Sequence, residues 1–189
     1  MSTHKIVFAG PVGAGKTTSI ASISDIEPFT TEEFATDEVK DMKDKTTVAM
    51  DYGVMELGNG EHIHLYGVPG QIRFDFMWEI IVEGGIGLIL LLNNESDQPL
   101  DEMDVYLDSF KSFIDRTALA IGVTRLQPGK GPGLEDYVAR LAQRGMSTAP
   151  IFEVDGRKPE DVVTLVQSLL YTLDPGLQTQ EEMAGAAAV

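Results

Sequence analysis

Gly10-Pro11-Val12-Gly13-Ala14-Gly15-Lys16-Thr17 stands between a short apolar run, Ile6-Val7-Phe8-Ala9, and a helix-compatible stretch from Lys16 to about Ser24. Its spacing is GxxxxGK[ST], and a strand before with a helix after is the setting in which that spacing cradles phosphate. Glycine lets the backbone turn successive N–H groups toward phosphate oxygens. The start of a helix adds its own unpaired N–H groups and positive dipole end. Lys16 reaches the outer phosphates of a nucleotide, and Thr17 offers a hydroxyl to Mg²⁺. The bland alternative is an incidental Gly-rich turn.

Outward from this loop, the chain alternates strand and helix. Residues 25–45 are polar and acidic and read mostly as loop. Residues 47–57 and 62–66 alternate as strands around a hairpin signal, Gly58-Asn59-Gly60. Phe76, Met77, Ile80 and Ile81 carry helical spacing, and residues 86–92 form a central apolar strand. Leu100, Met103, Leu107, Phe110 and Ile114 predict one amphipathic helix. A buried strand over 118–123, a helix ending near Gly145, a strand over 150–154 and a helix opened by Pro159 follow. This alternation predicts an α/β three-layer sandwich of the P-loop NTPase type. Its sheet has six mostly parallel strands with one antiparallel edge strand, and helices cover both faces. Residues 1–175 form the domain, and 176–189 read as a loose acidic and small-residue tail.

The 189 residues suit a single domain, and 43% of them are hydrophobic. Thirty Asp plus Glu against 14 Lys plus Arg give a formal net charge of −16. That balance argues against nucleic-acid wrapping and against docking on an anionic membrane. It leaves room for one basic pocket that takes a phosphorylated ligand. With no Cys there is no disulfide, thiolate metal site or cysteine nucleophile. The N-terminus lacks a secretory pattern and a Gly at position two, and the C-terminus lacks a lipid-accepting Cys. A cytoplasmic protein with no stable membrane anchor is expected. His62 and His64 alternate on a strand and read as partly exposed strand residues rather than metal ligands. Phe74, Phe76 and Trp78 serve either as core or as a surface that changes with nucleotide state.

Four segments resemble the Ras-like small GTPases. They are residues 10–18, Lys45-Thr46-Thr47-Val48-Ala49-Met50-Asp51-Tyr52-Gly53, Gly67-Val68-Pro69-Gly70-Gln71-Ile72-Arg73-Phe74, and Val154-Asp155-Gly156-Arg157. The second and third are most similar to the bacterial conservon-type branch, encoded with sensor kinases and roadblock-domain proteins. Arf and MglA are more distantly similar. The resemblance implies a Mg²⁺-dependent GTP/GDP switch with slow hydrolysis, and a roadblock-domain protein as partner. It also implies that residues Gly10, Pro11, Val12, Gly13, Ala14, Gly15, Lys16, Thr17 and Thr18 hold the phosphates. Thr17 and Thr47 would bind Mg²⁺, with Thr46 the adjacent rival for Thr47. Gly70 would meet the terminal phosphate, Gln71 would position water, and Lys16 and Thr47 would assist the reaction.

The chain departs from that pattern in three places. Gly67 stands where most of the superfamily has an Asp that supports Mg²⁺ through water, and Asp44 and Asp51 are the carboxylates available instead. Val12 replaces a common glycine, no Arg occurs from Asp25 to Thr47, and Arg73 is the nearest internal cation to Gln71. The base-reading Asn-Lys-x-Asp falls on Thr124-Arg125-Leu126-Gln127. There the resemblance implies that Gln127 would accept hydrogen bonds without the aspartate's charged bidentate pairing, that Arg125 would stack along the base, and that the loop Asp155-Gly156-Arg157 would offer N–H groups to it. Two other functions stay open. One is a nucleotide-binding adaptor with little hydrolysis. The other is a P-loop kinase of a small metabolite, which needs lid arginines, and only Arg125, Arg140 and Arg144 offer themselves.

Overall fold

The computed structural model describes residues 3–30, 50–57 and 60–174. Strand β1 (Thr3–Ala9) leads into helix α1 (Lys16–Ile23), and a two-residue strand β2 (Phe29–Thr30) follows. The hairpin β3 (Asp51–Leu57) and β4 (Glu61–Gly67) comes next, then a 3-10 turn (Ile72–Phe74) and α2 (Asp75–Val82). The remaining elements are β5 (Gly87–Asn93), α3 (Pro99–Ser109), α4 (Lys111–Ile114), β6 (Ala118–Thr124), α5 (Leu134–Gln143), β7 (Ile151–Glu153) and α6 (Pro159–Leu173).

The sheet order is β2-β3-β4-β1-β5-β6-β7. β1 pairs in parallel with β4 and β5, and β6 pairs in parallel with β5 and β7. β3 runs antiparallel to β4. Six strands are those expected. The seventh, β2, lies in the stretch read as loop, where Phe29 pairs with Tyr52 and Thr30 with Asp51 outside β3. Two residues are too short for any periodic signal. The expected single helix over 100–114 is two, because Phe110 (φ −96°, ψ 7°) leaves helical geometry between α3 and α4. Its ring is buried there, stacked on Trp78 with centroids 4.9 Å apart.

Every residue from Leu88 to Leu92 is fully buried, since helices cover both faces of the parallel region. Leu88, Leu90 and Leu92 join Trp78, Met103, Tyr106 and Tyr137 on the face of α2, α3 and α5. Ile89 and Leu91 join Ile20, Val162, Leu165 and Leu169 on the face of α1 and α6. Each such side chain contributes roughly 2 kcal/mol through burial. The glycine-rich loop over residues 10–15 leaves the C-terminal end of β1, the central strand whose neighbours lead to opposite halves of the sheet. That is the switch point at which open α/β sheets bind ligands. Among the described residues no helix is long and apolar enough to cross a membrane. The segment 31–49, with Thr46 and Thr47, and the tail from residue 175 lie outside the described residues.

Candidate functional site

The loop over residues 10–15 is shaped by glycines that cannot be replaced freely. Gly10 has φ 140°, and a Cβ there would stand 2.0 Å from the Leu91 carbonyl oxygen of β5. Gly13 (φ 78°) and Gly15 (φ 96°) take left-handed backbone, and Gly15 hands the chain into α1. The Thr124 hydroxyl at the end of β6 donates to the Ala14 (3.2 Å) and Leu92 (3.0 Å) carbonyls, pinning the loop to the sheet.

Lys16 opens α1, with its ammonium donating to the Gly10 (2.7 Å) and Pro11 (2.9 Å) carbonyls. It is 7% exposed. Burial lowers its pKa from the ordinary 10.5 to about 8, with the Asp51 carboxylate pulling the other way. Between about pH 8 and 10.5 the unfolded chain binds more protons at Lys16 than the folded one. Through this residue, stability of the nucleotide-free protein therefore rises with pH across that window. Urea midpoints at pH 7.5 and 9.5 check this, and Lys16→Met should remove the rise. Phosphate charge acts in the opposite sense by holding the ammonium protonated, so nucleotide affinity should fall as pH passes about 8.

Thr17 donates its hydroxyl to Asp51 Oδ2 at 2.8 Å. Asp51 is buried at the start of β3 and pairs directly with Gly67 at the end of β4. A Cβ at Gly67 would lie 2.9 Å from Asp51 Oδ2 and 3.0 Å from its Cβ. The glycine thus makes room for a carboxylate from the neighbouring strand. Of the two carboxylates named from sequence, Asp51 reaches the site, and Asp44 lies outside the described residues. Hairpin register was the signal that identifies it: Leu57 faces Glu61, and counting outward brings Asp51 to Gly67. A threonine hydroxyl backed by a carboxylate is an all-oxygen donor set that suits Mg²⁺.

The second loop closes over this centre. A Cβ at Gly70 would stand 2.7 Å from both Lys16 Nζ and the Val12 nitrogen. Gln71 follows, exposed and in extended backbone (φ −92°, ψ 125°). Val12 is 65% exposed at the rim. Trp78 and Tyr106, absent from the sequence-based site, hold this loop from behind through the carbonyls of Pro69 and Gly70. Trp78 and Phe74 are core, whereas Phe76 is 63% exposed.

On the other side of the loop opens a cavity of about 590 Å³, lined by residues 13–15, Thr18, residues 124–126 and residues 153–158, with Asp161 behind. Its size suits a base and ribose. Arg125 sits in left-handed backbone (φ 56°), half-exposed, with a guanidinium nitrogen 4.0 Å from Glu95. Gln127 is placed differently from the other base-loop residues. Its amide donates to Glu95 Oε1 at 2.9 Å, and it lines a neighbouring hollow instead of the large cavity. Asp155 is gripped by Arg157, whose Nε and Nη2 donate to its two oxygens at 2.8 and 2.7 Å. These bonds hold the Asp155 carboxyl well below the usual carboxylate range. A Cβ at Gly156 would press the Ser19 hydroxyl at 2.5 Å, so the loop lies close on α1.

Arg140 and Arg144 are engaged away from the loop over residues 10–15. They pair with Asp101, Asp104 and Asp108 along α3. His64 Nδ1 hydrogen-bonds the Tyr52 hydroxyl at 2.6 Å. Among the described residues no group of three or more His, Cys, Asp or Glu is arranged to hold a metal.

No family model matches the chain. An uncharacterised protein of Methanocaldococcus jannaschii, MJ1339, is 28% identical over 119 residues, covering 60% of this chain and 70% of that protein. The fold is similar to that of the Arl6 (BBS3) small GTPase of Trypanosoma brucei with bound nucleotide analogue GppNp. The TM-score is 0.64 at 16% identity, covering 90% of this chain and 97% of that one.

Proposed function

We propose that this protein is a nucleotide-dependent switch that binds GTP with Mg²⁺ and hydrolyses it slowly to GDP and phosphate. The observation that carries the reading is the meeting of Gly70, Lys16 and the Val12 nitrogen at one edge of the phosphate loop, beside a cavity sized for a nucleoside. A backbone amide and a lysine converging there fit a terminal phosphate better than a diphosphate alone. The choice of guanine rests on the resemblance to Ras-like GTPases.

In the reaction, water attacks the terminal phosphorus in line. The bond to the bridging oxygen breaks, and the water's proton passes to phosphate. Lys16 and the loop N–H groups stabilise the charge that moves onto the phosphate oxygens. Gln71 orients the water, and its exposure leaves it free to turn inward. Thr17, with Asp51 behind it, and Thr47 would hold Mg²⁺, which would supply charge neutralisation. Slow hydrolysis is expected because Val12 stands beside Gly70 where a common glycine would leave room, and no Arg occurs from Asp25 to Thr47 to complete the site from within.

Exposed Ile72, Phe76 and Ile80 form an apolar ridge along the second loop and α2. That ridge supports a partner whose affinity follows nucleotide state. We take that partner to be a roadblock-domain protein.

Competition of GTP, GDP and ATP for the nucleotide-free protein, with and without Mg²⁺, tests the reading. Guanine-selective, Mg²⁺-strengthened binding is expected, and equal or tighter ATP binding would overturn the guanine assignment. Gln71→Leu should slow single-turnover phosphate release about 10- to 100-fold while leaving GTP affinity within a factor of two. An unchanged rate would remove Gln71 from the reaction.

A further inference from the structure

We infer that Trp78 and Tyr106 are positioning residues that aim the Gly70 amide at the terminal-phosphate position, and so set the preference for triphosphate over diphosphate. The inference rests on the proposed nucleotide reading and names the device that would read the third phosphate.

The two side chains donate to consecutive carbonyls of one turn. The Trp78 indole N–H meets the Pro69 oxygen at 3.0 Å, and the Tyr106 hydroxyl meets the Gly70 oxygen at 2.8 Å. All described peptide bonds are trans. In a trans peptide the carbonyl and the following N–H point in opposite directions. With the Pro69 carbonyl held in the core by Trp78, the Gly70 N–H points away from the core. Gly70 itself lies against the phosphate loop, as its close approach to Lys16 Nζ and Val12 shows. By the same rule, the Gly70 carbonyl held by Tyr106 turns the Gln71 N–H away from α3.

The donors form a stiff block. Trp78 is 3% and Tyr106 2% exposed. Their rings stack with centroids 5.2 Å apart, and Phe110 stacks behind both. Burial pushes the Tyr106 phenol up, which keeps its hydroxyl a donor. Buried Trp and Tyr always seek acceptors, so satisfying their own polar ends is the simpler account. The distinguishing point is that both acceptors flank Gly70, the residue of this turn against which Lys16 Nζ and the Val12 nitrogen lie.

The test compares GppNHp with GDP, and AppNHp with ADP, on the wild-type protein and on Tyr106→Phe. Trp78→Phe serves as the harsher second variant. Tyr137→Phe is the control: it also removes a buried tyrosine hydroxyl, one that donates to Asn94 Oδ1 at 2.7 Å, away from Gly70. Tyr106→Phe is expected to weaken the triphosphate analogue about fivefold, the worth of one hydrogen bond, and the diphosphate less than twofold. Tyr137→Phe should leave that ratio unchanged. Equal loss of both nucleotides, or none, overturns the positioning role and leaves the nucleotide reading standing. A wild-type protein that binds none of the four overturns both.

Discussion

Gly10→Ala is expected to cost about 4 kcal/mol of folding stability and to abolish nucleotide binding. Two effects add. A φ of 140° is almost closed to residues with a Cβ, and the new methyl would stand 2.0 Å from the Leu91 carbonyl oxygen. That oxygen belongs to β5, the neighbour of β1, buried on both faces, so neither side can yield without moving the sheet. Gly13→Ala is the comparison. Its φ of 78° is left-handed too, but nothing lies within 4 Å of the added Cβ. It should cost only about 1–2 kcal/mol, the ordinary penalty of that backbone region. Urea unfolding of both nucleotide-free variants separates the two. Equal midpoints would mean that the strand contact relaxes away.

Asp51→Asn should raise the Mg²⁺ concentration needed for half-maximal triphosphate binding about 10- to 100-fold, the usual effect of losing a supporting carboxylate. The substitution keeps the side chain's size and one acceptor for the Thr17 hydroxyl. It removes the negative charge that faces Thr17 and partly sustains the Lys16 ammonium. Binding measured in EDTA should change far less. A Mg²⁺ requirement that does not move would confine Asp51 to orienting Thr17. Gly67→Asp should weaken Mg²⁺-dependent binding while Asp51 is present, because its Cβ would lie 2.9 Å from Asp51 Oδ2.

What was legible in the sequence was local. The runs ending at Ala9, Leu92 and Val123 read as strands because burial on both faces leaves them continuously apolar. The strand, glycine-rich loop and helix over residues 3–23 were legible because their residues are contiguous. Interactions across the sheet were harder to see. Asp51 matters because it faces Gly67, a pairing written only in hairpin register. Trp78 and Tyr106 sit 9 and 36 residues from the carbonyls they hold, and nothing in an apolar helix pattern separates an anchoring aromatic from a filling one. Gln127 turns toward Glu95, 32 residues earlier, a competitor that spacing alone does not reveal.

The ion ladder between α5 and α3 has a consequence for how a ligand arrives. Arg140 and Arg144 face three carboxylates, Arg157 is folded onto Asp155, and Lys111 onto Asp115. These four cations are neutralised at short range, and the body seen from a distance keeps the sign of its net −16. A polyphosphate would therefore diffuse toward a molecule of like charge and meet the attraction of Lys16, and of Arg125 and Lys158 lining the cavity, only at short range. Screening shortens that repulsion from roughly 30 Å at 0.01 M salt to about 8 Å at physiological strength. Nucleotide capture by this protein should quicken as salt is added, the reverse of an electrostatically steered encounter.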